Sequence, residues 1–475
     1  MKNTDLIGRK QERAILEEAL ESGEAEMVAI VGRRRVGKTF LVTRCYAGRI
    51  VFELTGVLRA SLKQQLTNFR DELYNLTGSE ILPQVPADWL SAFQMLRQYV
   101  QTRLGEEKVV LFFDELPWLS NPKSGFLEAL GYFWNSWASR QNLVVVLCGS
   151  AASWMIQKVV RDTGGMHNRI TKRIHLEPFS LGETEQYLKS KSVGWDRYQI
   201  LQFYMVTGGI PHYLKEAKPG RSAAQTIDQI CFSVSGLLRD EFSKLYPALF
   251  KNSQMHIAVI RSLFQKKSGM TRQELLQTVR APSGGSITTA LDELEQSGFI
   301  SVSYPFGKKT RDKIWRLTDE YSGFYLQFIE DKVIQREHNW LNLMDSQTYK
   351  IWSGFAFENV CLRHLRQIKK ALGISGIYTE ASSFYKKGKE TEEGVQIDLV
   401  LDRKDRVVNL FEIKFYNDAL YFTEADLAGL RAKQRIFLNA TNTRKYISWV
   451  LITTFGLKNK GVLDMVLSLD DLFAE

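Results

Sequence analysis

Three short apolar runs occur in the first third of the chain, at 27–32, 109–115 and 143–149. They are continuous and rich in Val and Leu, which is typical of strands buried on both faces of a parallel sheet. Between them, segments 58–76 and 87–104 have the apolar spacing and the length of helices. Strands that alternate with helices predict an α/β domain with a parallel sheet over residues 1–175.

The rest of the chain follows other patterns. Ser180 and Glu183 form a capping box that begins a helical stretch. Residues 253–320 predict three helices and then two alternating strands around a Gly-Lys-Lys turn, which is the layout of a winged helix. The last part predicts a helix, a strand hairpin, a second helix and a strand. The pattern thus indicates a helical lid subdomain at 176–250, a winged helix at 251–335 and a small α/β domain at 336–475.

The chain has 475 residues, with 63 Lys and Arg against 53 Asp and Glu, so its formal net charge is +10. This excess favours a polyanionic partner such as nucleic acid. The four cysteines are scattered and form no CxxC pair, which argues against a zinc site of the usual spacing. The sequence starts without the apolar segment of a secretory signal, and no apolar stretch approaches the roughly 18 residues of a membrane helix. We therefore expect a soluble cytoplasmic protein without membrane association.

The segment 32–39, GRRRVGKT, matches the phosphate-loop pattern GxxxxGK[ST] between a predicted strand and a predicted helix. In this context a chance match is the weaker interpretation. The loop's backbone N–H groups would surround phosphate oxygens, and the helix dipole would add attraction. Lys38 would reach the β- and γ-phosphates of ATP, and the Thr39 hydroxyl would bind Mg²⁺. The predicted nucleotide-binding residues of this loop are Gly32, Arg33, Arg34, Arg35, Val36, Gly37, Lys38 and Thr39.

An acidic pair, Asp114 and Glu115, ends the apolar run at 109–115. In an open α/β sheet, this end of the strand lies on the same edge as the phosphate loop. Asp114 would hold Mg²⁺, partly through water, and Glu115 would orient and deprotonate the attacking water. The alternative is an ordinary acidic strand end, which would be the better interpretation without a phosphate loop upstream.

With these motifs, the chain resembles the archaeal-type P-loop ATPases, relatives of the STAND and AAA+ families. Singly, short Gly motifs are more often plain turns, but their order along the chain makes the resemblance specific. It implies that Gly8 and Arg9 lie near the adenine. It also makes Ser150 a polar sensor and places Pro211 against the nucleotide from the helical lid. The further residues that carry the resemblance are Ile7, Gly8, Arg9, Glu12, Cys148, Gly149, Ser150, Gly208, Gly209, Ile210 and Pro211.

The same resemblance implies a homo-oligomer in which an arginine completes the neighbouring subunit's site. The basic stretch 167–173 has the corresponding position, and Arg169 is the preferred candidate. A guanidinium on the γ-phosphate would stabilise charge in the transition state. For any one of these residues, a solvated basic surface is the competing interpretation.

The predicted winged helix offers a nucleic-acid interface of a second kind. Helix 286–297 would be the recognition helix, and the basic hairpin tip 307–311 would be the wing. The acids Asp292, Glu293 and Glu295 argue against deep insertion of that helix into a groove. A protein-contact or packing role therefore stays open, and any DNA contact would be sequence-independent and salt-sensitive.

A second chemical constellation lies on two neighbouring C-terminal strands. Glu412 and Lys414 share one strand face, and Asp398 on the preceding strand can point to it. Carboxylate oxygens are the ligands that Mg²⁺ prefers, and a nearby lysine could position a water or stabilise developing charge. A solvated acid–lysine pair is the simpler alternative.

This arrangement resembles the PD-(D/E)xK nuclease fold, in which an acid on a helix precedes Asp and ExK on a hairpin. By that resemblance Glu358 is the helical acid, and Glu358, Asp398 and Glu412 would hold the metal. Lys433 and Gln434 would also lie near the site. Ile397 replaces the Pro of the pattern, and folds of this type can lose their chemistry.

Together these features predict a P-loop ATPase that uses ATP and Mg²⁺ and acts on nucleic acid, DNA more than RNA. Its C-terminal domain would be a magnesium-dependent nuclease, a deoxyribonuclease, regulated by the nucleotide state. The alternative is a nucleotide-driven switch or scaffold whose nuclease-like domain binds DNA or protein without cleaving. A transporter ATPase ranks lower because the chain has no LSGGQ signature.

Overall fold

The computed structural model describes residues 6–474, apart from 79, 121–123, 161–167, 280–283, 308–311, 333–338, 389–393, 460, 462 and 464. The chain divides into two compact units, residues 1–178 and 179–475. His167 and residues 308–311 of the predicted wing tip 307–311 lie outside the described residues.

The first unit is an α/β layered structure around one sheet. Its strands are β1 (Glu26–Val31), β2 (Ile50–Thr55), β3 (Val109–Asp114), β4 (Leu143–Gly149) and β5 (Lys172–His175). Its helices are α1 (Lys10–Glu21), α2 (Lys38–Cys45), α3 (Leu62–Thr77), α4 (Trp89–Gln101), α5 (Leu116–Leu119), α6 (Phe126–Ser136) and α7 (Ala152–Met155).

The five strands are all parallel, in the order β2-β3-β4-β1-β5. Every residue of β1, β3 and β4 is buried, because helices cover both faces of the sheet. An aromatic cluster that includes Phe69, Trp89, Phe93 and Phe126 packs β3 against α3, α4 and α6. The predicted α/β fold with a parallel sheet is confirmed.

The second unit begins with helices and continues into a small sheet. The helices are α8 (Leu181–Ser190), α9 (Arg197–Thr207), α10 (Pro211–Leu214), α11 (Ala223–Phe232), α12 (Glu241–Leu249), α13 (Ser253–Gln265), α14 (Arg272–Val279) and α15 (Gly284–Gln296). The strands are β6 (Met270–Thr271), β7 (Ile300–Ser303) and β8 (Ile314–Leu317), paired antiparallel in the order β6-β8-β7. The capping box predicted at Ser180 and Glu183 begins α8.

The last part of the second unit is built on a mixed sheet. Helices α16 (Glu320–Phe328), α17 (Asn339–Leu343), α18 (Gln347–Arg363) and α19 (Leu365–Ala371) precede it. The remaining elements are β9 (Thr379–Lys386), β10 (Val395–Arg403), β11 (Val407–Lys414), α20 (Glu424–Thr441), β12 (Tyr446–Thr453), β13 (Met465–Leu467) and α21 (Leu469–Leu472). Strands β9, β10 and β11 are antiparallel, whereas β11, β12 and β13 are parallel. Among the described helices, none is long and apolar enough to cross a membrane.

Candidate active sites

The phosphate loop joins β1 to α2, as its motif predicts. Gly37 has φ 92°, a left-handed conformation that disfavours other residues. A Cβ on Gly32 would lie 2.4 Å from the carbonyl oxygen of Leu176, so only glycine fits there. The buried ammonium of Lys38 donates to the carbonyl oxygens of Gly32 and Arg33, each at 2.9 Å. The lysine therefore lies inside the loop that would surround the phosphates.

Thr39 and Asp114 meet although their sequence positions differ by 75 residues. The Thr39 hydroxyl donates to Asp114 Oδ2 at 2.5 Å. Strand β4 lies between β1 and β3, so the contact spans one intervening strand. A hydroxyl and a carboxylate are the hard oxygen donors that suit Mg²⁺. The structure brings together the two residues predicted to hold the ion, and their chemistry fits it.

Glu115 lies just beyond β3 in a left-handed conformation, with φ 47°. Its backbone N–H donates to Asp114 Oδ1 at 2.8 Å. The hydroxyl of Ser150, at the end of β4, lies 2.7 and 2.6 Å from the two carboxylate oxygens of Glu115. The Ser150 N–H adds a contact of 3.3 Å to the same carboxylate. The predicted water-activating acid and the predicted polar sensor thus form one hydrogen-bonded pair.

Of the two predicted adenine-side residues, Arg9 contacts the phosphate loop from the position before α1. Gly8 and Arg9 both have positive φ, 63° and 57°. The Arg9 guanidinium is buried, donates to the Val36 carbonyl at 3.3 Å and lies 3.8 Å from Glu12. In the arginine triplet of the loop, Arg33 is buried, whereas Arg34 and Arg35 are partly exposed.

Two further predicted residues belong to other elements of the chain. The Nε of Arg169, which precedes β5, donates to Asn135 Oδ1 of α6 at 3.0 Å. Pro211 belongs to the second unit, where it begins α10. Their proposed roles in a neighbouring subunit's site and at the nucleotide stay predictions.

The C-terminal acids come from three elements of the second unit: Glu358 from α18, Asp398 from β10 and Glu412 from β11. Burial raises the pKa of Glu358 to about 7, and the nearby carboxylate of Asp398 adds to the rise. Glu412 raises this pKa as well, which indicates that the three acids share one electrostatic environment. Asp398 and Glu412 each lie two residues beyond the paired positions Val400 and Leu410 of the hairpin.

Each of these acids already has a basic or amide partner. Arg316 of β8 lies 2.8 Å from Glu358 Oε2 and 3.7 Å from Asp398 Oδ1. Asp398 also accepts from the Gln396 amide at 2.7 Å. Glu412 pairs with the ammonium groups of Lys414 at 3.1 Å and Lys433 at 2.6 Å.

In the part of the chain that the structure describes, no group of three or more His, Cys, Asp or Glu side chains is arranged to hold a metal. The carboxylate oxygens suit Mg²⁺, but their arrangement with Arg316 does not. The sequence prediction missed Arg316, whose signal was a single charge within the otherwise apolar run IWRL of a half-buried strand. A charge at such a position requires an oppositely charged partner.

Comparisons with known proteins support the nucleotide site. Residues 6–217 match the model of a family described as an ATPase domain predominantly from Archaea. The matched region includes the phosphate loop, the Asp114–Glu115 strand end, Ser150 and Pro211. These residues therefore lie in a region that is similar to an ATPase domain, and the match supports ATPase activity.

Individual relatives are distant. An uncharacterised protein of Methanocaldococcus jannaschii is 22% identical over 416 residues, which cover 86% of this chain and 87% of that protein. The Walker-type ATPase PABY2304 of Pyrococcus abyssi has a TM-score of 0.50 and 16% identity, covering 68% of this chain and 96% of the other. The ORC2 protein of Aeropyrum pernix has a TM-score of 0.41 and 18% identity, covering 68% of this chain and 92% of the other. The likeness to the Pyrococcus protein shows a shared fold.

Proposed function

We propose that the first unit hydrolyses ATP by using Glu115 as the base. The observation that carries this proposal is the pair of contacts at the sheet edge, Thr39 with Asp114 and Glu115 with Ser150. They support an ion-binding role for Thr39 and Asp114 and a base role for Glu115 beside the phosphate loop. When bound by Thr39 and Asp114, Mg²⁺ supplies neutralisation of phosphate charge.

Other side chains of the first unit have separate roles in ATP hydrolysis. Lys38 exchanges its two carbonyl partners for phosphate oxygens and compensates their charge. Glu115 accepts a proton from the attacking water, and Ser150 fixes the orientation of that carboxylate. Arg169 of a neighbouring subunit completes the site. Gly8 and Arg9 border the adenine.

The substitution Lys38→Ala tests the proposed ATP site. Nucleotide affinity and steady-state ATP hydrolysis are measured for the full chain with Mg²⁺. We expect both to be lost in Lys38→Ala, because the substitution removes the ammonium that lies inside the loop. Lys63→Ala removes an exposed lysine of α3 and serves as the matched control. Wild-type hydrolysis that persists in Lys38→Ala would refute the assignment.

We also propose that the second unit acts on nucleic acid as a nuclease. The observation that supports this is the convergence of Glu358, Asp398 and Glu412 beside Lys414. The order of α18, the antiparallel strands β9 to β11, α20 and β12 supports a PD-(D/E)xK-like domain. Three helices with an antiparallel sheet, α13 to β8, support a winged helix as the nucleic-acid contact.

The acids on the proposed recognition helix differ in their surroundings. Glu293 Oε2 shares a hydrogen bond with His256 Nε2 at 2.7 Å, so its charge is directed into the unit. Asp292 and Glu295 stay exposed on α15. The exposed acids favour phosphate contact by other surfaces over deep groove insertion.

A second candidate function is a nucleotide-driven switch that binds nucleic acid or protein without cleaving it. It is favoured by the ion pairs of Arg316 with Glu358 and Asp398, because a guanidinium among these acids opposes metal binding.

A cleavage panel separates the two candidates. Single-stranded, duplex and branched DNA and RNA are incubated with Mg²⁺ or Mn²⁺, with and without ATP. The nuclease predicts cleavage that disappears in Asp398→Ala and persists in Asp405→Ala, which removes an acid of the nearby β10–β11 turn. Absence of cleavage by a preparation that still hydrolyses ATP supports the switch.

A further inference from the structure

A buried glutamine amide links two segments of the first unit that are far apart in sequence. Gln65, near the start of α3, is only 1% exposed. Its Oε1 accepts from the Val57 N–H at 3.2 Å, and its Nε2 donates to the Val57 carbonyl at 2.8 Å and to the Trp118 carbonyl at 3.1 Å. An amide nitrogen has two N–H groups, so this side chain uses both of them on main-chain carbonyls. These three hydrogen bonds compensate the burial of the amide and fix its position.

Trp118 belongs to the turn that carries the proposed base. Glu115 immediately precedes α5, and the Trp118 N–H donates to the Glu115 carbonyl at 2.9 Å. Glu115 has φ 47°, a left-handed conformation that is costly for a residue with a side chain. Such a conformation persists only where the surrounding contacts determine it. The hydrogen bond from Gln65 to Trp118 is one of these contacts.

Val57 provides the second connection, because it follows a glycine that packs against Glu115. The Gly56 N–H donates to the Asp114 carbonyl at 2.9 Å. A Cβ on Gly56 would lie 2.6 Å from the Glu115 carbonyl oxygen, so the two backbones are in direct contact. Gln65 holds both main-chain polar groups of Val57 and thereby fixes the segment that lies against Glu115.

We propose that Gln65 is a positioning residue for ATP hydrolysis, which holds the backbone turn that aims Glu115 at the attacking water. This inference rests on the proposed role of Glu115 as the base. Ser150 fixes the carboxylate of Glu115, whereas Gln65 fixes its backbone through Val57 and Trp118. The precision of this support matters, because a displacement of about 1 Å in a reacting group can cost on the order of 100-fold in rate.

The substitution Gln65→Met tests the proposal, because it keeps the length of the side chain and removes the amide. Single-turnover ATP hydrolysis and equilibrium ATP binding are measured for the full chain with Mg²⁺. We expect hydrolysis about tenfold slower and an unchanged ATP affinity, since the substitution displaces the base and leaves Lys38 in place. Gln64→Met is the matched control, because it removes the capping box of the same helix and should leave both quantities unchanged.

A second variant, Gln65→Glu, keeps the shape of the side chain and changes only its hydrogen bonds. An ionised carboxylate can accept from the Val57 N–H but cannot donate to the carbonyls of Val57 and Trp118. We expect the same slow hydrolysis as in Gln65→Met, and this variant decides the matter if Gln65→Met does not fold. Hydrolysis at the wild-type rate by either folded variant would overturn the positioning role.

The double variant with Glu115→Gln separates positioning from a general loss of stability. If Gln65 acts through the base, Gln65→Met should slow the Glu115→Gln protein by no more than about twofold, because the two effects are coupled. A purely structural role of Gln65 predicts instead the same tenfold loss in both backgrounds, and that result would contradict the proposal.

The same measurements distinguish this inference from the proposed function on which it rests. A slow Glu115→Gln protein together with a wild-type rate for Gln65→Met supports the base and overturns only the positioning role. Hydrolysis by Glu115→Gln at the wild-type rate contradicts the proposed base, and with it the role of Gln65.

Discussion

Ser150 holds the carboxylate of Glu115 through its hydroxyl and its backbone N–H. We expect Ser150→Ala to lower the rate of ATP hydrolysis about tenfold, because the carboxylate loses its fixed orientation. Nucleotide affinity should stay unchanged, since the hydrogen bonds of Ser150 go to Glu115. Steady-state kinetics and equilibrium binding measure the two quantities. Ser150→Thr keeps the hydroxyl and is the control, and a faster Ser150→Ala enzyme would contradict the orienting role.

At the level of single residues, a contact could be predicted from the sequence where both of its residues belong to recognisable motifs. The pairing of Thr39 with Asp114 follows from a phosphate loop and an acidic strand end, whatever lies between them. Arg316 belongs to no motif, and its partners Glu358 and Asp398 come from elements that only the tertiary fold brings to it. Sequence reasoning therefore predicted the acids but not the cation among them.

A buried histidine joins two helical elements of the second unit. His364 Nε2 accepts from the Leu181 N–H at the start of α8 at 2.9 Å, and Nδ1 contacts the Val360 carbonyl at 2.7 Å. Burial lowers the pKa of His364 to about 4, and the positive charge of Arg363 contributes to the lowering. The neutral ring is thus part of the folded structure.

Between about pH 6.5 and pH 4 the unfolded chain binds a proton at this position that the folded chain does not. The free energy of unfolding should therefore fall as the pH is lowered through this range, by about 3 kcal/mol for this group. His364→Gln keeps a neutral acceptor and should show a shallower fall. Urea unfolding at several pH values gives the free energy of unfolding of both proteins. If it changes with pH in the same way for both, the pH dependence does not come from His364.

The phosphate loop and the segment after β5 approach each other too closely for a side chain. Because a Cβ on Gly32 would lie 2.4 Å from the Leu176 carbonyl, Gly32→Ala must displace backbone. We expect a loss of about 2 kcal/mol in the free energy of unfolding, as for other overpacked sites. Gly23→Ala is the control, because an added Cβ there meets nothing within 4 Å. Thermal unfolding measures the stability of both variants. Equal stability would contradict the steric explanation.

The sequence predicted the central elements of the first sheet better than its edges. The apolar runs correspond to β1, β3 and β4, which are buried throughout. The edge strands β2 and β5 are only partly buried, so they carry no continuous apolar run and were not predicted. Burial on both faces of a sheet produces a continuous apolar run in the sequence, and a strand at the edge of the sheet has no such run.

At the scale of the whole molecule, contacts distant in sequence build the second unit. The hydrogen bond of Leu181 with His364 and the ion pair of Arg316 with Glu358 join segments to which the sequence pattern assigned separate domains. Such pairs connect residues 183 and 42 positions apart, and no local pattern encodes them.

The net charge of +10 favours nucleic-acid phosphate as a partner of the whole chain. Binding of a duplex oligonucleotide by Asp398→Ala, the variant in which the proposed nuclease would be inactive, should weaken by about tenfold or more between 50 and 200 mM salt, because phosphate contacts release counter-ions. Fluorescence anisotropy at several salt concentrations gives the slope. An affinity independent of salt would contradict an electrostatic interface.

ATP hydrolysis through Glu115 is the central claim, and single-turnover hydrolysis by Glu115→Gln tests it most directly. The substitution removes the charge of the base and keeps a hydrogen-bond acceptor for Ser150. We predict unchanged ATP affinity and hydrolysis about 100-fold slower than in wild type, the range expected for loss of a general base. Hydrolysis at the wild-type rate by Glu115→Gln with ATP bound would contradict the account.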